Sequence, residues 1–185
     1  MNVSEFARLQ GIEVCREFDP EMLVPEERIR AFCEENKCGA YNRNYMCPPH
    51  AGSLEEIRVK LKNYQHGILL QYVKFMDVRR NRHEVMQTKT DFHNKILRIE
   101  EFLKEQGVSR IWGLSGGNCG LCDVCRAKTG EPCASPDQAR ISIEAAGIDV
   151  QQLLYSLGLD SRFHADRITW TGCILMEDAP NERLA

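Results

Sequence analysis

No apolar run in this sequence is long enough to cross a bilayer. The longest uncharged one, near Ile68, falls far short of the roughly 20 residues that a spanning helix needs. The opening stretch, MNVSEFARLQ, lacks the basic and then apolar pattern of an export signal, so a cytoplasmic protein with no membrane partner is expected. Charge of one sign is also missing. With 24 Lys and Arg against 27 Asp and Glu, the formal net charge is -3, which gives no global attraction to nucleic acid. There are no internal repeats or low-complexity tracts, and 43% hydrophobic and 28% charged residues is the balance of an ordinary globular protein. A chain of 185 residues suits one domain that buries roughly 70% of its unfolded surface, so a single metal-binding domain over 1–185 is expected.

Several chemistries lack their residues. The run from Gly113 to Gly120 has no Lys-Ser or Lys-Thr end, which excludes a phosphate loop of the P-loop kind. No serine, histidine and acid arrangement points to a hydrolase. Asp149 fits a helix cap rather than half of a catalytic carboxylate pair, and Glu144 is expected to hydrogen-bond backbone near a cysteine loop. Cysteine is what the chain has in excess. Nine thiols in a reducing compartment favour metal binding over disulfides, and the odd count argues against a complete disulfide framework.

Cys119, Cys122, Cys125 and Cys133 form Cys-x2-Cys-x2-Cys-x7-Cys. Two residues between thiolates let the backbone curl so that successive sulfurs face different irons of a cubane, as in bacterial ferredoxins. A single zinc more naturally takes two close pairs separated by a longer loop, and zinc stands as the alternative. The wide last gap and the lack of proline after Cys133 set the pattern apart from a ferredoxin repeat. Gly113, Gly116, Gly117 and Gly120 allow backbone amides to approach an anionic cluster.

Cys33, Cys38 and Cys47 form Cys-x4-Cys-x8-Cys, followed by Pro48, Pro49 and His50. Three thiolates anchor a second cubane and leave one iron without a cysteine, the kind of position a catalytic site keeps for water or substrate. Candidates for its fourth ligand are Cys15, His50, Cys173 or a small molecule. The spacing differs from the Cys-x3-Cys-x2-Cys of radical enzymes that cleave S-adenosylmethionine. Cys173 lies in an apolar strand and suits an inert buried thiol. His66, His83, His93 and His164 have no ligand spacing with a cysteine, and Arg79, Arg80 and Arg82 suit a solvated helix end or a docking patch for an acidic redox partner.

Periodicity places these groups on a fold. Pro25 to Glu35 suits a helix with Ile29 and Phe32 on one face and Cys33 at its end. Ser53-Leu54-Glu55-Glu56 is a capping box for a helix to about Lys62. A buried strand over Ile68–Phe75, a helix over Arg82–Gln106 ended by Gly107, and a strand over Val108–Leu114 make a right-handed βαβ unit with parallel strands. Ser135-Pro136-Asp137-Gln138 predicts a helix starting just after Cys133 and stopping at Gly147, its positive end favouring negative charge near the fourth ligand. Asp149 caps a further helix toward Ser156, and Ile168–Met176 is a last strand before a short polar end. The expected class is α/β, a small mixed sheet with flanking helices and cysteine-rich metal-binding loops at about 33–52 and 115–135. An α+β arrangement is the alternative.

With both groups in view, the sequence resembles a cysteine-rich family of predicted metal-binding proteins, domain of unknown function family 2284. The resemblance rests on Cys33, Cys38 and Tyr41-Asn42-Arg43-Asn44-Tyr45-Met46-Cys47-Pro48-Pro49, on Gly117 through Cys133, on Pro136, and on Glu144 with Gly147-Ile148-Asp149-Val150. It departs at Asn42, where the family pattern has Gly. The resemblance implies seven recurring cysteines, three plus four, of iron-sulfur type in anaerobic redox metabolism, and it gives Cys15 and Cys173 no role. Three functions are open at this point. They are an electron-transfer accessory with two [4Fe-4S] clusters serving a redox partner protein or larger metalloenzyme, an enzyme binding substrate at the three-cysteine cluster, and a zinc-stabilised interaction module.

Overall fold

Ile68, Leu69 and Leu70 are apolar without alternation because the strand that carries them is covered on both faces. The computed structural model describes residues 1–178. Its helices are α1 (Val3–Leu9), α2 (Glu27–Glu34), α3 (Leu54–Leu61), α4 (Arg82–Glu105) and α5 (Val150–Ser156). Its strands are β1 (Val14–Phe18), β2 (His66–Phe75), β3 (Ile111–Leu114) and β4 (Arg167–Met176), in the order β1-β2-β4-β3. The short polar end expected after the last strand lies, from residue 179 on, outside the described residues.

The α/β class holds, with the sheet refined in one respect. β2 and β3 each pair antiparallel with β4, so they run parallel to one another as the βαβ reading requires, but β4 stands between them. The unit is split, and every hydrogen-bonded neighbour pair is antiparallel rather than mixed.

One face of the sheet packs Leu69, Leu114, Cys173 and Leu175 against Ile57 and Leu61 of α3, Leu153 and Leu154 of α5, and Ile141, Ile143 and Ile148. The other face packs Ile68, Leu70, Tyr72 and Ile174 against Phe92, Ile96, Ile99 and Leu103 of α4. These α4 residues recur at three and four, the apolar stripe read from the sequence. Gly113 points at that helix, and a Cβ there would meet the Glu100 carboxylate at 2.0 Å, so only glycine lets α4 lie this close to β3.

The capping predictions at Ser53 and Asp149 hold. The Ser53 side chain accepts from the Glu56 amide while the Glu56 side chain returns to Ser53, and Asp149 accepts from the Gln152 amide at 3.0 Å. Phe32 departs from its predicted face. It is 62% exposed, and Ile29 alone of the pair is buried.

The helix predicted after Ser135 is absent. Residues 136–138 make one turn, closed by the Gln138 and Ala139 amides on the Ser135 carbonyl. A parallel bridge then joins Ser142 to Ser115, and Ile141, Ser142 and Ile143 are all buried. Burial of this segment beside the end of β3 overrides the local capping signal. The favourable helix terminus expected near Cys133 goes with it.

No helix among the described residues is long and apolar enough to cross a membrane.

Candidate metal centre

α2 carries Cys33 into its last turn, half-buried, and the chain turns at Asn36 to the exposed Cys38 and again at Gly39, both turning residues being at positive φ. Asn36 Oδ1 accepts from the Tyr41 amide at 3.0 Å. Asn42 has φ of 54°, which explains why glycine or asparagine suits this position. Its amide donates to the Pro48 carbonyl, closing the loop around the buried Cys47.

The second loop leaves β3 at Ser115, whose amide donates to Ile141 and whose carbonyl accepts from Ile143. Cys119, Cys122, Cys125 and Cys133 all line one pocket, and Asn44, Tyr45 and Met46 of the first loop complete its wall. Two bonds fasten the loops together. Asn44 Nδ2 donates to the Cys119 carbonyl at 2.8 Å, and the Tyr45 hydroxyl donates to the Glu131 carbonyl at 2.6 Å. The two cysteine groups, far apart in sequence, are therefore neighbours.

α4 holds the second loop from below. Lys89 Nζ donates to Asn118 Oδ1 at 2.9 Å, His93 Nε2 donates to the Gln138 carbonyl at 2.8 Å, and Glu100 takes a bidentate pair from Arg140. Three polar residues on one face of a helix thus pin the loop at its start and beyond its end. His93 is structural, as its lack of ligand spacing suggested.

The thiols stand in an environment that disfavours bare charge. Burial pushes the Cys47 thiol up to about 12, helped by neighbouring Cys38, Cys33 and Cys119 and opposed by Lys89. Burial raises Cys33 and Cys119 as well, the latter opposed by a hydrogen bond from the Leu121 amide. A thiolate set in such a place needs a bound cation or nearby positive charge.

Positive charge is present. Lys89 is 3% exposed and has no carboxylate partner among the described residues; burial lowers its pKa, opposed by the charges of Cys119, Cys47 and Cys38. Arg30 is 7% exposed. Its Nη1 donates to the Gly52 carbonyl, while Nε and Nη2 are buried with no partner, and Cys33 is the leading group favouring its charge. Glu144 is exposed, and desolvation by the surrounding protein raises its carboxyl. It hydrogen-bonds its own amide and Ser142, and its charge reaches Cys33.

The candidates for a fourth ligand are not brought together. Cys15 lies on β1, the sheet edge away from β3, with Ser4 Oγ on its sulfur at 3.6 Å. Cys173 is fully buried opposite Leu69 in the core, and burial alone drives its thiol far above the ordinary range. His50 stays in the first loop, exposed, its ring edge-on to Tyr45. Sequence reasoning missed Asn44, Lys89 and Arg30 as site residues. Lys89 carried a signal, since it interrupts the apolar stripe between Val85 and Phe92.

The donor set fits an anionic metal cluster. The orphaned Arg30 nitrogens act on Cys33, and the Lys89 ammonium, bonded only to a neutral acceptor among the described residues, acts on Cys119, Cys47 and Cys38; a negatively charged group there would satisfy both. Among the described residues no three His, Cys, Asp or Glu side chains converge as a cage for one metal ion, so the second group is four thiols around a shared pocket.

A family model described as predicted metal-binding protein (DUF2284) matches residues 16–176. No curated protein and no solved structure matches the chain.

Proposed function

Because the chain belongs to the predicted metal-binding family DUF2284, we propose that its metal is held as two [4Fe-4S] clusters and that it serves as a redox or electron-transfer accessory to a partner protein or larger metalloenzyme. The observation carrying this reading is that Cys119, Cys122, Cys125 and Cys133 line one pocket whose wall also includes Asn44, Tyr45 and Met46 of the loop that carries Cys33, Cys38 and Cys47. A bound cluster supplies one-electron oxidation and reduction.

The chain's own residues do the rest. Cys119, Cys122, Cys125 and Cys133 hold the first centre, and Cys33, Cys38 and Cys47 hold the second. The Leu121 amide points at the Cys119 sulfur and stabilises its thiolate form. Asn44, Tyr45 and Met46 cover the first centre against solvent. Arg30 places two unpartnered nitrogens, Nε and Nη2, beside Cys33, where they favour negative charge.

A second reading makes the three-cysteine centre catalytic. It is favoured by the exposure of Cys38, which leaves that side open to a small molecule, and by the separation of Cys15 and Cys173 from the loop.

Anaerobic purification followed by iron and acid-labile sulfide analysis, with electron paramagnetic resonance of the reduced protein, tests both. Two clusters per chain are expected, with Cys133→Ala and Cys47→Ala each abolishing a different signal. One zinc per site without sulfide would end the reading in favour of a zinc-stabilised module. Perturbation of the Cys47-dependent signal by small added ligands would select the catalytic reading.

A further inference from the structure

We propose that Lys89 is a shared electrostatic anchor, a single buried positive charge set between the two cysteine groups that poises both centres together. This rests on the two-cluster reading above and deepens it.

The side chain is 3% exposed, so its ammonium does not snorkel to water as a surface lysine does. Among the described residues it makes one hydrogen bond, to the neutral Asn118 Oδ1 at 2.9 Å, and no ion pair. A buried ammonium with one neutral acceptor is strongly unfavourable, and such charges persist where an opposing charge is supplied. No carboxylate among the described residues supplies it.

The surroundings make room for this cation. A Cβ on Gly120 would lie 3.3 Å from Lys89 Cε and 3.5 Å from Nζ, and one on Gly117 would lie 3.3 Å from Cδ. The four-cysteine loop therefore wraps the lysine with glycines on either side of Asn118 and Cys119. Asn44 reaches the carbonyl of that same Cys119 from the other loop. Lys89 is bonded to the four-cysteine loop at Asn118, next to the Cys119 carbonyl that Asn44 of the other loop reaches, and Cys119, Cys47 and Cys38 are the thiols whose charge acts on it. Arg30 differs, because Cys33 is the thiol that acts on it.

Adding an electron to a cubane held by thiolates adds one negative charge, and a fixed cation nearby favours that state. A cation between two centres favours reduction of both. Lys89 is thus a positioning residue that acts through the clusters rather than a ligand.

The test compares wild type with Lys89→Met and Lys89→Arg, all prepared anaerobically and titrated with electron paramagnetic resonance detection. In Lys89→Met both signals should need a more negative potential, each by about a tenfold loss of electron affinity, about 59 mV for a one-electron couple. Lys89→Arg should keep both near wild type. If Lys89→Met fails to load clusters, loading of both centres in Lys89→Arg supports the charge requirement, and equal failure of the two variants overturns it. A shift of one signal alone, or of neither, also overturns it. Wild type without sulfide would instead sink the two-cluster reading itself.

Discussion

Asn44 and Cys119 are joined across 75 residues of sequence by one hydrogen bond of 2.8 Å, from the Asn44 amide nitrogen to the Cys119 carbonyl. The same side chain accepts from the Met46 amide through its oxygen, so one buried carboxamide fixes both loops. Asn44→Ala leaves a carbonyl and an amide short of partners, at about 1–3 kcal/mol for each buried group left unpaired. The expected outcome is lower iron content at both centres with a folded core, read by metal analysis beside far-ultraviolet circular dichroism. Loss at one centre alone would show that the loops do not depend on each other.

Arg140 and Glu100 form a bidentate ion pair with side chains only 16% and 4% exposed. Removing one partner strands the other, so Arg140→Ala should cost about 3–5 kcal/mol. Replacing both at once removes the stranded charge, and Arg140→Met with Glu100→Met should recover most of that loss. Denaturant midpoints of the two variants decide it. Equal destabilisation of both would mean that the pair contributes packing rather than charge compensation.

Much of this fold was legible because its signals are local or periodic. The capping box at Ser53, the Asp149 cap, the α4 stripe and the apolar strands all needed only a few neighbouring residues. The helix after Ser135 failed for the opposite reason, since the bridge between Ser142 and Ser115 depends on where β3 ends in space. The insertion of β4 between β2 and β3 is likewise a long-range event. At the centre, spacing picked out the seven cysteines, but their adjacency rests on Asn44 and Tyr45 reaching 75 and 86 residues along the chain. Lys89 was visible only as a charge in an apolar stripe, a position with meaning once the facing loop is known.

Asp149 has its carboxyl held below the usual range, first by the Gln152 amide that it caps and then by Arg28. A folded-state value below the unfolded one stabilises the fold above the unfolded value, and that stability is lost as pH falls through the folded value. Asp149→Asn keeps a capping oxygen and loses the charge. The variant should be less stable than wild type by about 0.5–1 kcal/mol near neutrality, with the gap closing below about pH 4. Thermal unfolding of both proteins across that range checks the sign, and a gap that widens in acid would contradict it.

Arg30 gives the sharpest test of whether an anionic group belongs at the three-cysteine site. Its Nε and Nη2 are buried without partners, so in metal-free protein the guanidinium is a desolvated charge with one hydrogen bond, to Gly52. Replacing a poorly satisfied buried charge by an apolar side chain of similar length is often neutral or stabilising. With a negatively charged cluster beside Cys33 the sign reverses, because the free N–H groups of Nε and Nη2 then have acceptors and the positive charge a counterpart. Arg30→Met should therefore leave metal-free protein as stable as wild type or more so, and should lower both the stability and the iron content of loaded protein. Denaturation of the two proteins in each state gives four midpoints. The same sign of change in both states would remove Arg30 from the centre.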